Sequence, residues 1–204
     1  MIVILIHGFN VWDGGRATVG RLAPFFNARG IPHFAVNYGH FGLLETRLKN
    51  IRVAKRVALA CRAAANQKVI VVGHSNGCAI AHLAASEFGA KIDKAVYINP
   101  ALKKDMPLPD SVPELDVWYS PSDRPVRLAR WLLPSRMRPW GEMGATGYQG
   151  VEDSRITNFN KQENYRVQSS EHSDVFTLSK LPYFGPLIAK TAIGDYLQNE
   201  AYSD

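Results

Sequence analysis

The strongest constraint on this chain is the alternation of short Val/Ile-rich runs with longer stretches of helical periodicity. The runs Ile2–Ile6, His33–Asn37, Lys68–Val72, Lys94–Ile98 and Leu115–Tyr119 read as strands. Between them, Gly15–Ala28, Leu43–Ala65, Asn76–Phe88 and a short piece around Val126–Leu133 read as helices. Near-continuous apolar strands are expected where a sheet is covered on both faces, and β–α alternation predicts parallel strands with helices on either side. A possible short strand at Ile156–Phe159, a last strand near Tyr165–Gln168 and a final helix near Leu187–Leu197 complete the set. No repeat or interdomain linker interrupts it, so residues 1–204 read as a single α/β domain with about six strands.

Composition narrows the class. A hydrophobic share of 46% with 21% charged residues excludes a disordered chain. The longest apolar runs fall far short of the roughly 20 residues that span a bilayer. The first strand follows Met1 directly, with no basic start or long apolar stretch of a secretory leader, so the expected compartment is the cytoplasm. Cys61 and Cys78 both fall in helical segments and read as buried apolar residues rather than a disulfide; two thiols make no zinc site. The net charge of +6 suits an anionic partner but identifies none.

The most informative segment is Gly73-His74-Ser75-Asn76-Gly77. A G-x-S-x-G match alone is weak, but this one lies between a buried strand and a helix. A serine at such a turn is lifted clear of the sheet, often in a strained backbone conformation. Gly73 and Gly77 let neighbouring backbone approach without a Cβ clash. The helix starting at Asn76 points its first N–H groups toward the same place. A glycine-rich turn capped by Ser75 is the bland alternative.

Together with His7-Gly8-Phe9 after the first strand, this motif resembles the α/β-hydrolase superfamily over nearly the whole chain. The resemblance implies an α/β-hydrolase fold with a mostly parallel sheet, a cap-like insertion before the last strand, and the two earliest strands of the full family sheet missing. It implies backbone N–H donors at Phe9 and Asn76 for an oxyanion. It also implies the chain order nucleophile, acid, histidine.

Of the six histidines, only His82 and His172 follow Ser75. His82 lies inside a helix, so His172 is the expected base. His74 is expected to pack rather than react, and His7 to orient the oxyanion loop. Asp123, in Ser120-Pro121-Ser122-Asp123 after the fifth strand, is the expected acid. Asp174, close to His172, is an alternative; Asp116 lies within the strand; and Pro-Ser-Asp is also ordinary turn chemistry. Such a site needs neither cofactor nor metal.

The stretch from about Arg124 to Gln162 is longer than a usual connection. It carries Arg124, Arg127, Arg130, Arg136 and Arg138 interleaved with Val126, Leu128 and Trp131, which suits either a lipid-facing cap or a solvated basic helix. Trp140–Tyr148 suggests no chemical role, while Phe9, Trp12 and the cap aromatics could line an acyl pocket. The expected activity is hydrolysis of a carboxylic ester or thioester of a small acyl substrate, with membrane contact open, nucleic acid disfavoured and oligomeric state undetermined. The competing reading is a catalytically silent hydrolase-like module that binds a partner through its basic face.

Overall fold

The computed structural model describes residues 1–129, 140–162 and 171–194. Six strands form one sheet in the order β2-β1-β3-β4-β5-β6, with every neighbouring pair parallel. They are β1 (Ile2–Ile6), β2 (His33–Val36), β3 (Val69–His74), β4 (Lys94–Ile98), β5 (Leu115–Tyr119) and β6 (Ile156–Asn160). The helices are α1 (Ala23–Asn27), α2 (Thr46–Ala63), α3 (Asn76–Phe88), α4 (Arg124–Ala129), α5 (Met143–Thr146) and α6 (Leu181–Ile193).

Alternation along each strand divides the core into two layers, because successive side chains leave a strand on opposite faces. Ile4, Ile6, Val69, Val71, Ala95, Tyr97 and Val117 pack beneath α2 and α3. Val3, Leu5, Ile70, Val72, Val96, Ile98 and Trp118 face Phe26 of α1 and Phe184, Ile188 and Ala192 of α6. Cys61 and Cys78 are buried free thiols on α2 and α3. Among the described residues, no helix is long and apolar enough to cross a membrane.

Several boundaries differ from the sequence reading or refine it. The first helical stretch does not begin at Gly15. Gly14 and Gly15 adopt φ of +66° and +88°, a turn held by the Asp13 carboxylate, which accepts from the N–H groups of Gly15 and Ala17. A 3-10 turn at Val19–Leu22 follows, and only then α1. The final helix starts at Leu181, runs through Pro186, and stops where Gly194 turns left-handed. Within the expected insertion over 124–162, Ile156–Asn160 forms β6, paired in register with β5. The expected strand at Tyr165–Gln168 lies outside the described residues.

The strand order positions the site. It reverses between β1 and β3, and a doubly wound sheet opens a crevice beyond the carboxyl ends of its strands at such a switch point. Ile6 and Gly73 are register partners there, so the loop after β1 and the turn after β3 emerge side by side.

Candidate active site

The β3–α3 turn is tight for steric reasons. Ser75 sits at φ 53°, ψ −119°, a conformation costly for a residue with a Cβ. A Cβ at Gly77 would collide with the Ile6 carbonyl oxygen, and one at Gly73 would stand 2.9 Å from the Cys78 nitrogen. The two glycines therefore let α3 start hard against β1 and fold back over its own strand. The Ser75 carbonyl accepts from the N–H groups of Cys78 and Ala101, which pins the turn to the loop after β4.

The neighbouring loop is fixed as firmly. The Tyr38 hydroxyl contacts the carbonyls of His7 and Gly8 at 2.6 and 2.7 Å, and its ring stacks on His7 at 3.9 Å. His7 Nδ1 donates to the Gly8 carbonyl at 2.8 Å. Burial lowers the His7 pKa although that bond and the nearby Asp13 oppose it, which favours the neutral ring. A Cβ on Gly8 would come within 3.1 Å of Ser75 Cβ. The backbone of Gly8-Phe9 thus runs directly beside Ser75. Asn76 opens α3, and first-turn N–H groups have no acceptor within their own helix.

His172 and Asp123 meet across the sheet ends. His172 Nδ1 lies 2.9 and 3.0 Å from the two Asp123 carboxylate oxygens. Asp123 is fully buried and accepts further bonds from Asn99 Nδ2 at 2.6 Å and the Val126 N–H at 3.1 Å. Its carboxylate also caps the start of α4. Asp174, the alternative acid, pairs instead with Lys180 at 2.6 Å and Lys161 at 3.3 Å. Burial acts to raise the Asp174 pKa, but the two ammonium groups outweigh it and the net shift is downward. Asp116 pairs with buried Lys94 at 2.7 Å.

His74 takes a role the sequence did not specify. Its Nε2 lies 3.0 Å from the His172 carbonyl oxygen and therefore donates to it, while its ring packs on Phe176. Burial, with His172 and Lys161 nearby, holds its pKa well below the ordinary histidine value. His74 is thus a neutral donor that tethers the His172 loop to β3.

Ser75 and His172 line one cleft of about 400 Å3, whose other walls are apolar: Phe9 and Leu43 on one side, Ala101, Pro125, Val126, Leu128 and Trp140 around the rest. A second cleft of about 650 Å3 shares Pro125 and His172 and is walled by polar side chains, Ser122, Arg124, Glu171 and Thr177 among them, though carbon makes up most of its lining. Trp12, expected near an acyl pocket, is 79% exposed and stacks on His40 instead. Among the described residues, no group of three or more His, Cys, Asp or Glu side chains is arranged to hold a metal ion.

Trp140–Tyr148, a segment that suggested no chemical role in the sequence analysis, braces the site. Trp140 Nε1 donates to Asn76 Oδ1 at 2.8 Å, and its ring meets Phe9 edge-on. The Gly144 carbonyl accepts from the Ser120 N–H, and a Cβ there would stand 2.6 Å from the Asn99 carbonyl carbon. Asn99 and Lys161 also escaped the sequence reading. Asn99 is fully buried at φ 46°, and fully buried Lys161 donates to its Oδ1 at 2.6 Å. A lysine just past an apolar strand gives no cue that it is covered.

A parallel sheet with a reversal at β1/β3, a serine on a strained turn at that point, and a histidine–carboxylate pair facing it define the α/β-hydrolase class. The chain belongs to the alpha/beta hydrolase family, whose model matches residues 3–187. No curated protein matches the sequence. Among solved structures, mouse alpha/beta hydrolase domain-containing protein 10 is similar with a TM-score of 0.59 at 12% identity, over 96% of this chain and 90% of that one. A putative hydrolase of the alpha/beta superfamily from Xanthomonas campestris pv. campestris gives 0.58 at 16%, over 95% and 98%. A structure from work on the metagenome-derived lipolytic enzymes LipS and LipT gives 0.56 at 15%, over 95% and 92%. At these identities the likeness is one of fold.

Proposed function

We propose that this chain is a serine hydrolase that cleaves carboxylic esters, or thioesters, of a compact apolar acyl group. The observation that carries the reading is the meeting of Ser75, on its strained turn, with His172 in one apolar cleft while Asp123 holds the far side of the imidazole. His172 takes the Ser75 proton as Oγ attacks the acyl carbon, and Asp123 fixes the tautomer and stabilises the imidazolium. The N–H groups of Phe9 and Asn76 receive the charge on the tetrahedral intermediate. The proton then passes to the leaving oxygen or sulfur, and water activated by His172 releases the acid from the acyl-enzyme.

The apolar cleft suits the acyl group, and the adjoining cleft, with Ser122, Arg124 and Glu171 on its walls, offers hydrogen-bonding groups to a leaving group. That a similar fold was determined in work on lipolytic enzymes supports ester chemistry. A silent binding module would have no use for a strained Ser75 beside a fully buried Asp123 paired to histidine. The test is a p-nitrophenyl ester series from acetate upward, run beside matched thioesters. Turnover that peaks at a short or medium chain and vanishes in Asp123→Ala and His172→Ala supports the reading. No turnover of any ester or thioester by folded wild type overturns it.

A further inference from the structure

Lys161 is completely buried although it follows the edge strand β6. Its Nζ has three oxygens within reach: Asn99 Oδ1 at 2.6 Å, Asp174 Oδ1 at 3.3 Å and the Glu171 carbonyl at 3.4 Å. Three acceptors match the three N–H bonds of an ammonium, so the group is held as a cation. Its backbone N–H is fixed in turn, donating to the Tyr119 carbonyl at 2.9 Å.

The Asn99 contact has a directional consequence. An amide can turn either end toward a partner, and the free side chain has little preference. With Lys161 on Oδ1, only Nδ2 is left for Asp123, and it reaches Asp123 Oδ2 at 2.6 Å. Were the amide reversed, two oxygens would face each other across that distance and two donors would face at Lys161. The cation therefore dictates that Asn99 presents a donor to the carboxylate. The Glu171 carbonyl, one residue before His172, gives the same cation a second hold on the base.

We propose that Lys161 is a positioning residue of this hydrolase, acting through Asn99 on Asp123 and through Glu171 on the His172 loop. The inference rests on the serine-hydrolase reading given above. The chain Lys161–Asn99–Asp123–His172 keeps the carboxylate at the angle at which both its oxygens meet Nδ1. Asp174 and Lys180 complete the ionic surroundings of Lys161, and their pairing lets the cation remain buried. Burial lowers the Lys161 pKa while Asp174 and Asp123 oppose the shift.

The test is a double-mutant cycle on Lys161→Met and Asn99→Ala, with Lys161→Gln in parallel as a smaller, uncharged donor. Rates are normalised to the sites titrated by a fluorophosphonate, so that any unfolded fraction drops out. Each single substitution is expected to lower kcat about 10–100-fold with KM changed less than about twofold. The double variant is expected to be no slower than the worse single, since both break one chain. Lys161→Gln is expected to recover part of the loss. Folded Lys161→Met with wild-type kcat overturns the inference, as does a loss in Lys161→Gln no smaller than in Lys161→Met, or losses that multiply in the double variant. Wild type that neither labels nor turns over removes the hydrolase reading, and this inference with it. Labelled wild type with an indifferent Lys161 removes this inference alone.

Discussion

His172 Nδ1 stands 2.9 Å from Asp123 Oδ2 and 3.0 Å from Oδ1, a histidine held by a carboxylate that has no exposure to solvent. Asp123 is itself fixed by Asn99 Nδ2 and the Val126 N–H, so the imidazole is oriented by a group that cannot swing away. Asp123→Asn keeps the size but leaves one acceptor oxygen for the two donors Asn99 Nδ2 and Val126 N–H, and presents an amide that no longer requires Nδ1–H. The expected outcome is a fall in kcat of up to about 10⁴-fold with little change in KM, measured on the best p-nitrophenyl ester.

The strained serine yields a prediction about stability. At φ 53° a residue with a Cβ stores about 1–3 kcal/mol, and glycine does not. Ser75→Gly is expected to melt above Ser75→Ala, since both lose the hydroxyl but only alanine keeps the strain. Thermal unfolding of the two variants side by side measures this. Gly77→Ala is expected to destabilise by at least about 1–3 kcal/mol, because its methyl would meet the Ile6 carbonyl at the base of α3.

Trp140 joins the cleft to the turn. Its ring forms part of the apolar wall and its Nε1 holds the side chain of Asn76. Trp140→Ala is expected to enlarge the cleft and shift the ratio of kcat/KM for long against short acyl esters by about tenfold toward the longer ones. Trp140→Phe is expected to keep the wild-type preference. An ester series on both variants checks it.

The fold was legible because burial on both sheet faces leaves near-continuous Val/Ile runs, and β1, β3, β4 and β5 all carry them. Strand β6 reads Ile-Thr-Asn-Phe-Asn, partly polar, and among the described residues it pairs only with β5; the sequence offered Ile156–Phe159 as a short strand without placing it in the sheet. The positions of Ser75, Asp123 and His172 came from motif and chain order, which follow from strand ends converging on one edge. Asn99, Lys161 and Trp140 did not, since their meaning lies in contacts across 24 to 64 residues of chain. A buried lysine and a solvated one look alike in a sequence.

Three histidines, His7, His74 and His82, have pKa values lowered by burial, His82 to about 4. The unfolded chain binds protons at these rings near pH 6.5, whereas the folded chain does not, so stability is lost as pH falls through about 6.5 and below. The folded state is expected to lose denaturant midpoint steadily between about pH 7 and 5. His82→Gln, away from Ser75, is expected to flatten that slope by about one proton's worth while leaving the proposed ester turnover unchanged. Urea titrations at several pH values give the slope directly.

The most direct test of the central claim is labelling by a fluorophosphonate, comparing folded wild type with Ser75→Ala and locating the adduct by peptide mapping. A serine activated as proposed reacts once per chain at Ser75, and the signal disappears in the variant. Folded wild type that stays unlabelled, or an adduct that persists in Ser75→Ala, would contradict Ser75 as nucleophile and with it the hydrolase reading of this site.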